Sequence, residues 1–127
     1  MRYARIYNGL DGTSHFEDLE IELLPFEYAP PAPAIDVSEP FGASRAVLFS
    51  IPAGWYGDWH PTPRRQLYFN LGGRLEVVVS DGEARTLEPG DIVLVEDETA
   101  PGHTTRAVGD QPSTGVFVHL AVEERGA

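Results

Sequence analysis

The chain has 127 residues, of which 42% are hydrophobic and 23% are charged. A chain of this length and composition buries a single hydrophobic core, so we expect one globular domain. Twenty acidic residues against nine basic ones give a net charge of −11, which opposes binding to nucleic acid or to an anionic membrane. The apolar runs are too short to cross a bilayer, and residues 1–10 lack a signal-peptide stretch. These features predict a cytoplasmic protein.

Two residue types are absent, and their absence narrows the chemistry. The chain contains no cysteine, which excludes disulfides, thiolate nucleophiles and zinc–thiolate sites. It contains no lysine either, because all nine basic residues are arginine, and this excludes Schiff-base chemistry. Motifs of the serine-hydrolase elbow, the P-loop and the dinucleotide-binding turn are also missing. Histidine, carboxylate, tyrosine and arginine chemistry remains, with or without a metal.

The first part of the chain, residues 1–44, differs from the rest. Prolines in Ala29–Ala34 require an extended chain, since proline fixes φ and disfavours helix before it. Phe16–Leu24 is compatible with a helical turn or with a strand. We interpret residues 1–44 as an extended N-terminal arm that packs on the barrel or on a partner subunit. An arm that covers sheet edges of a neighbouring copy predicts a homodimer.

The second part, residues 45–127, consists of short apolar runs separated by glycine and proline, which is typical of an all-β sandwich or barrel. Gly72-Gly73 and Ser80–Glu83 are interpreted as hairpin turns, and Pro89–Asp91 as a further break. The predicted strands are Arg45–Ser50, Trp55–His60, Gln66–Leu71, Leu75–Val79, Ala84–Leu87, Ile92–Val95, His103–Val108 and Val116–Val122.

The segment from Gly54 to Gly73 carries an unusual set of polar side chains. Side chains alternate between the faces of an extended strand, so residues of equal parity point the same way. A polar inner face in a small barrel is typical of a binding pocket, because a packed core excludes unpaired polar groups. The residues predicted to share this face are Tyr56, Asp58, His60, Thr62, Arg64, Gln66 and Tyr68.

The spacing in this segment resembles the first motif of the cupin superfamily, G-x5-H-x-H-x3,4-E-x6-G. Gly54, His60 and Gly73 match it, Thr62 stands where the family has its second histidine, and Gln66 stands in the place of glutamate. The stretch from Gly90 to Pro101-Gly102-His103 resembles the second motif, with its histidine two residues later than in the pattern. The resemblance covers residues 45–122.

This resemblance implies an all-β, double-stranded β-helix (jelly-roll) barrel with its site at the barrel mouth. In metal-containing cupins, three histidines and one glutamate hold the ion. Carried over to this chain, His60, Gln66 and His103 are the candidate ligands of a divalent Mn, Fe, Zn or Ni ion, and Thr62 would reach it through water. We expect weak binding, because an imidazole and the anionic ligand are both replaced. A metal-free site stays open as the alternative.

Parity also suggests substrate-binding residues. Arg64 is predicted to point inward, where it would hold a substrate carboxylate in bidentate fashion, although an arginine pair in an acidic chain is more often solvated. Tyr56, Thr62 and Tyr68 share that predicted face, with packing as the alternative role of the two tyrosines. Three other features receive no site role: Glu96–Glu98 is interpreted as a solvated loop, Arg106 as a surface ion pair, and His119 as a satisfied core residue.

Two functions from different classes are compatible with these residues. The first is a small-molecule enzyme, a lyase, isomerase/cyclase or dioxygenase, in which His60 and His103 hold a metal or act as general acid and base. Its substrate would be a small organic molecule, anionic if Arg64 binds it. The alternative is a non-catalytic barrel that binds a small ligand. A structural or storage role is disfavoured by the polar inner face.

Overall fold

The computed structural model describes residues 1–122, and all regular secondary structure in that range is β-strand, which confirms the predicted all-β class. No helix able to span a bilayer occurs in this part of the chain. Residues 123–127, the end of the predicted barrel, lie outside the described residues. The strands are β1 (Arg2–Asn8), β2 (Ser14–Glu20), β3 (Leu24–Phe26), β4 (Ile35–Val37), β5 (Ala43–Ile51), β6 (Tyr56–His60), β7 (Gln66–Gly72), β8 (Arg74–Val79), β9 (Ala84–Leu87), β10 (Ile92–Val95), β11 (His103–Val108) and β12 (Ser113–Leu120).

Two sheets form the barrel. The larger sheet has six strands in the order β2-β1-β10-β7-β12-β5, and the smaller one has four in the order β6-β11-β8-β9. Neighbouring strands are antiparallel except β1 and β10, which run parallel. Strands adjacent in the chain often belong to opposite sheets, as in a jelly roll. This architecture confirms the predicted fold.

All eight predicted strands are present, and their ends differ from the prediction by three residues at most. β8 shows the period of two that a sheet with a buried face requires, because Leu75, Val77 and Val79 are buried and the residues between them are not. β10 is apolar throughout. The prediction missed β1, β3 and β4. Phe16–Leu24, left open between helix and strand, contains most of β2.

The N-terminal segment divides into two structurally different parts. Residues 2–20 are integral strands of the larger sheet, and they contribute Ile6 and Phe16 to the central core. Residues 21–42 lie outside the two larger sheets: nearly all of them are exposed, and β3 and β4 pair only with each other. The boundary at residue 44 therefore does not separate the barrel from the segment before it.

The two predicted hairpins have different outcomes. Ser80–Glu83 joins the paired strands β8 and β9, so this hairpin is confirmed. The hairpin at Gly72-Gly73 is wrong, because β7 and β8 belong to different sheets and the chain crosses between them here. Gly73 has a φ of +68°, and a Cβ atom would lie 2.6 Å from the carbonyl oxygen of Pro112. Glycine is therefore required by the crossing and not by a hairpin.

The central core lies between the two sheets. It combines Ile6, Tyr68 and Val93 of the larger sheet with Leu75 and Val79 of the smaller one, among others. A second apolar cluster lies on the opposite, outward side of the larger sheet, where Leu67, Leu94 and Leu120 are buried with Tyr3, Phe69, Ile92 and Val118 around them. The larger sheet is thus apolar on both sides.

The turn between β1 and β2 is fastened to the turn between β8 and β9 by one histidine. Nε2 of His15 lies 2.9 Å from Oδ1 of Asp11, and Nδ1 lies 2.8 Å from Oδ2 of Asp81. The hydrogen bond with Asp11 raises the pKa of His15 and lowers that of Asp11 to about 2. We refer to these contacts of His15 with Asp11 and Asp81 as the His15 tether. The tether favours the protonated form of His15, because the ring lies between two carboxylates.

Shortening a core side chain tests the packing between the sheets. Val79 is fully buried, so Val79→Ala should lower the free energy of unfolding by about 2 kcal/mol through lost apolar contact and an unfilled cavity. Chemical denaturation with urea measures this difference. Val122→Ala, at a position that is 95% exposed, is the matched control and should leave stability unchanged. Equal stability of wild type and Val79→Ala would contradict this core.

The His15 tether predicts a pH dependence of stability. The folded-state pKa of His15 is raised above 6.5, so its contribution is complete below pH 6.5 and is lost as pH rises through the raised value. The contribution of Asp11 is present above pH 3.8 and is lost as pH falls towards 2. Thermal unfolding between about pH 5 and pH 9 should therefore show a fall in Tm that His15→Gln reduces. An unchanged pH profile in His15→Gln would contradict the tether.

Candidate functional site

A cavity of about 290 Å³ lies between the sheets and opens at one end of the barrel. Inward-facing side chains of both sheets line it, and most of them are apolar, including Phe49, Val77 and Phe117. Trp55, which is 40% exposed, lies at its wall. The polar residues that line the cavity are His60, Thr62, Gln66, Tyr68, His103, Thr105 and His119.

His60 and His103 meet across the paired strands β6 and β11. They are direct partners in the register of this pair, and their ring centroids lie 4.6 Å apart at an interplanar angle of 58°. Gly102 permits this approach, because its φ is +78° and a Cβ atom there would clash with the carbonyl oxygen of His60. The glycine that precedes His103 therefore brings the two imidazoles together.

Hydrogen bonds fix both imidazole rings through their Nδ1 atoms. Nδ1 of His60 donates to the backbone carbonyl of Asp58 (2.6 Å), and Nδ1 of His103 donates to Oδ2 of Asp97 (2.7 Å). A carbonyl or carboxylate oxygen accepts, so each neutral ring carries its proton on Nδ1. Nε2 of each ring is then left as a lone-pair acceptor for a molecule in the cavity.

Asp97 is the buried anchor of this arrangement. It is fully buried, and Oδ2 accepts hydrogen bonds from the Ser14 hydroxyl (2.8 Å) and from His103. Its other oxygen, Oδ1, is buried and has no hydrogen-bond partner among the described residues. The interpretation of Glu96–Glu98 as a solvated loop is therefore wrong at Asp97 and correct at Glu98, which is exposed.

Glu96 holds the same loop from the outside. Burial opposes its ionisation, but hydrogen bonds to Arg65 and Arg5 outweigh that effect and keep the pKa of Glu96 below its ordinary value. Successive residues of an extended chain point to opposite sides. Pairing Glu96 with two arginines on the outer side therefore directs Asp97 inward towards His103.

Gln66 and Thr62 stand beside the histidines, and both are buried. Nε2 of Gln66 donates to Oγ1 of Thr62 (3.2 Å), and Thr62 donates its own proton to the backbone carbonyl of Arg64 (2.7 Å). Among the described residues, no hydrogen bond uses Oε1 of Gln66, so this oxygen is a free acceptor. The spacing that singled out His60, Thr62, Gln66 and His103 thus corresponds to residues around one cavity.

The remaining predicted substrate residues are not gathered there. Tyr68 lines the cavity, where it donates its hydroxyl proton to Oδ1 of Asn70 (2.8 Å) and burial raises its pKa. Tyr56 is 55% exposed and Arg64 is exposed, and neither lines the cavity. Arg106 lies outside as well, where it pairs with Glu76 as expected.

Tyr56 and Arg64 lie outside the cavity, contrary to the prediction, for reasons of local structure. His60 pairs with His103, but the next partners are Gly57 and Thr105, so β6 has one extra residue at this point. Such a β-bulge reverses the alternation, and Tyr56 therefore points away from the face of His60. The chain from Pro61 to Arg65 is not a strand, so parity does not carry through to Arg64.

His119 is a site candidate that sequence reasoning assigned to the core. It lines the cavity and lies opposite Gln66 in the pairing of β12 with β7. Its Nδ1 atom is buried without a hydrogen-bond partner among residues 1–122. The expectation that His119 is a hydrogen-bonded core residue is therefore wrong at Nδ1. This unpaired nitrogen adds a polar atom beside Gln66.

Ser14 and Asp97 were also missed. Their contact joins residues 83 positions apart, so no spacing rule within one segment could have revealed it. A weak signal existed at Asp97, because it stands six residues before His103 in the segment that resembles the second cupin motif. Assigning His119 to the cavity from the sequence would have required the register of β12, which depends on how the strands pair.

The side chains at the site can be compared with the ligands needed for the metal ion that the cupin resemblance implies. His60 and His103 are oriented through Nδ1 as metal-bound histidines commonly are. However, no group of three or more His, Asp or Glu side chains within residues 1–122 is arranged to hold an ion. Two imidazoles and the neutral Gln66 amide supply no anionic ligand. These residues therefore do not fit a tightly held divalent ion.

Comparison with known proteins agrees with this architecture. The family model for the cupin domain (Cupin_2) matches residues 47–119, which is more than half of the chain. None of the curated proteins matches the sequence. The match includes His60, Gln66, His103 and His119, so the cavity lies inside the family's domain.

Solved structures share the fold at low sequence identity. The DMSP lyase DddQ from Ruegeria pomeroyi DSS-3 has a TM-score of 0.53 and 24% identity over 84% of this chain, which spans only half of the lyase. The cupin domain of Schizosaccharomyces pombe Cnp3 has a TM-score of 0.52 and 12% identity, with 96% of this chain and 83% of that chain covered. The domain match and the shared fold lead to one conclusion: this chain belongs to the cupin family.

Proposed function

We propose that the protein is a cupin-type enzyme that binds a small, largely apolar organic molecule in the barrel and transfers protons with His103 and His60. One observation carries this proposal. A buried carboxylate, Asp97, holds His103 at the polar end of an otherwise apolar cavity. A carboxylate–imidazole pair beside a cavity is the arrangement used in general acid–base catalysis.

The hydrogen bonds support a distinct role for each residue in this proposal. Nε2 of His103 takes a proton from the substrate, and Asp97 stabilises the imidazolium that forms through the bond at Nδ1. His60, whose ring centroid is 4.6 Å away, is placed to exchange a second proton at another atom of the same molecule. Asp97 acts through His103, so it is a positioning residue, as is Ser14, which donates to Asp97.

Lyase, isomerase and cyclase reactions fit this residue set best. Each of them requires removal of a proton at one position and delivery or loss of a group at another, which two bases can provide. A lyase is also among the solved proteins that share this fold. A dioxygenase would need bound iron, for which the donor set offers two imidazoles and an amide.

The cavity wall supports a proposal for the substrate class. Phe49, Phe117 and Trp55 offer apolar and aromatic surface, so the body of the substrate should be hydrophobic or aromatic. Polar groups of the substrate would meet His60, His103 and the free oxygen of Gln66. No arginine of the described residues lines the cavity, so recognition of an anion by Arg64 is not supported by its position.

A non-catalytic binding barrel is the second candidate. The apolar lining favours it, because burial of a hydrophobic ligand requires no reacting group. The two candidates differ in what the histidines do. A binding protein would hold its ligand unchanged, whereas the enzyme would accelerate a proton transfer within the cavity.

A base-sensitive probe distinguishes them. 5-Nitrobenzisoxazole opens when a base removes its C3 proton: the N–O bond breaks, and a nitrile and a coloured phenolate form. We expect wild-type protein to accelerate this opening with saturation kinetics. His103→Asn should lower the rate about 100-fold, the scale of one general base. Absorbance of the phenolate over time gives the rate.

The controls separate catalysis from binding. Arg64→Gln, an exposed position outside the cavity, should react like wild type. Asp97→Asn should lower the rate of opening and leave probe affinity unchanged. Affinity is measured by quenching of Trp55 in a Trp59→Phe background, since the chain has only two tryptophans. Binding of the probe without faster opening would support the binding barrel, and equal rates in wild type and His103→Asn would contradict the enzyme.

The candidate metal ligands, which are His60, Gln66 and His103, give a separate prediction. Because an anionic ligand is missing, protein incubated with Mn, Fe, Zn or Ni should retain well below one ion per chain after desalting. Elemental analysis measures this ratio, with His60→Ala and His103→Ala as comparisons. One retained ion per wild-type chain that both variants lose would contradict the prediction and would favour metal-assisted chemistry.

A further inference from the structure

One row of residues crosses the larger sheet at the polar end of the cavity. The register places Arg45 of β5 beside His119 of β12, and it places His119 beside Gln66 of β7. The residues of β5 that follow Arg45 at intervals of two all line the cavity: they are Val47, Phe49 and Ile51. The pairing of β5 with β12 has no bulge between Arg45 and Ile51. Side chains alternate along an unbroken strand, so Arg45 belongs to the cavity side of the sheet.

Arg45 lies at the mouth of the cavity and not in its wall. Its side chain is exposed, and Val47, the next residue on the same side, is 42% exposed although it lines the cavity. β5 is also an edge strand, paired only with β12. Neighbouring strands lie about 4.8 Å apart, a distance that the long side chain of arginine spans. Arg45 can therefore contact a molecule that is bound beside His119.

The guanidinium of Arg45 has no carboxylate partner within residues 1–122. Five of the nine arginines form ion pairs in that range: they are Arg2, Arg5, Arg65, Arg85 and Arg106. The three strands of the row, β5, β12 and β7, contain no acidic residue, although the chain carries twenty. The cavity side of β5 thus offers an unpaired cation at the opening.

His119 differs from the two histidines opposite it. His60 and His103 are each fixed through Nδ1 by an oxygen of the chain. Nδ1 of His119 has no such partner among the described residues. No internal contact at Nδ1 therefore decides which ring nitrogen of His119 carries the proton, and an imidazole can donate from either one. An unpaired buried polar atom is unfavourable, so a hydrogen-bonding group of a bound molecule is favoured at this position.

The acidic character of the whole chain does not prevent an anion from binding at this place. The net charge of −11 repels anions at long range, but salt at 0.1 M screens such interactions beyond about 10 Å. A contact with a guanidinium is short, and the planar guanidinium matches a carboxylate with two parallel hydrogen bonds. The local arginine therefore outweighs the distant acidic residues.

We propose that Arg45 and His119 form a carboxylate-binding subsite at the mouth of the cavity. The substrate is then an apolar or aromatic carboxylic acid, bound as its carboxylate. Its acidic group contacts Arg45 and His119, and its body lies against Phe49 and Phe117 inside the cavity. This subsite rests on the proposed function, because it names the substrate class of that same cavity.

A matched pair of ligands tests the subsite. 4-Nitrobenzoate and 4-nitrobenzamide have similar size and shape, but only the benzoate is charged near neutral pH. Quenching of Trp55, which lines the cavity, measures binding in the Trp59→Phe background. We expect the benzoate to bind about tenfold more tightly than the amide, the scale of one charge-assisted hydrogen bond. Arg45→Gln should remove this preference and leave the affinity for the amide unchanged.

Arg64→Gln is the matched control, because it removes another exposed arginine that does not line the cavity. It should keep the preference for the benzoate. His119→Leu should weaken the preference without lowering Tm, since it removes a buried nitrogen that has no partner. If His119→Leu does not fold, the exposed position 45 still decides the result. Equal affinity for the two ligands, no binding of the benzoate, or a preference that survives in Arg45→Gln would overturn the proposal.

The outcome is separable from that of the enzyme assay. 5-Nitrobenzisoxazole is uncharged, so its opening reports proton transfer and not recognition of a carboxylate. Preference for the benzoate without opening of the probe would support the subsite and contradict the enzyme. Opening of the probe without that preference would support the enzyme and contradict the subsite.

Discussion

The hydrogen bond between Asp97 and His103 is the interaction on which the candidate site depends. A buried carboxylate without partners is costly by several kcal/mol, so Asp97 requires donors inside the barrel. Ser14 and His103 supply them from strands that are distant in sequence. The bond from His103 fixes the tautomer of its ring, and the bond from Ser14 to the same carboxylate joins β2 to the loop before β11. Stability of the loop and orientation of the base therefore have one physical cause.

Around Asp97 and His103, the interior of the barrel consists mainly of apolar side chains. Electrostatic interactions are stronger in such a surrounding than in water, because little solvent screens them. An imidazole fixed by a carboxylate and facing an apolar cavity is therefore suited to proton transfer on a hydrophobic molecule. Gly102 makes the arrangement compact, since only a residue without a Cβ allows His60 and His103 to approach as they do.

The larger sheet uses its two sides differently. Its inward side provides Tyr68, Gln66 and His119 to the cavity, while its outward side carries a second apolar cluster that the chain covers only in part. Because successive residues alternate, each strand serves both sides at once. A substitution on the outward side is therefore expected to leave the cavity intact.

The sequence by itself determined the positions of eight of the described strands, the family and the spacing that places His60, Gln66 and His103 around one cavity. These properties depend on local period and on short motifs. The tertiary structure alone decided the Ser14–Asp97 contact, the unpaired nitrogen of His119 and the crossing at Gly72-Gly73. It also turned Tyr56 and Arg64 away from the cavity, because a bulge and a non-strand segment interrupt the alternation. Parity is reliable only within an unbroken strand, and contacts between distant residues depend on how the sheets pack.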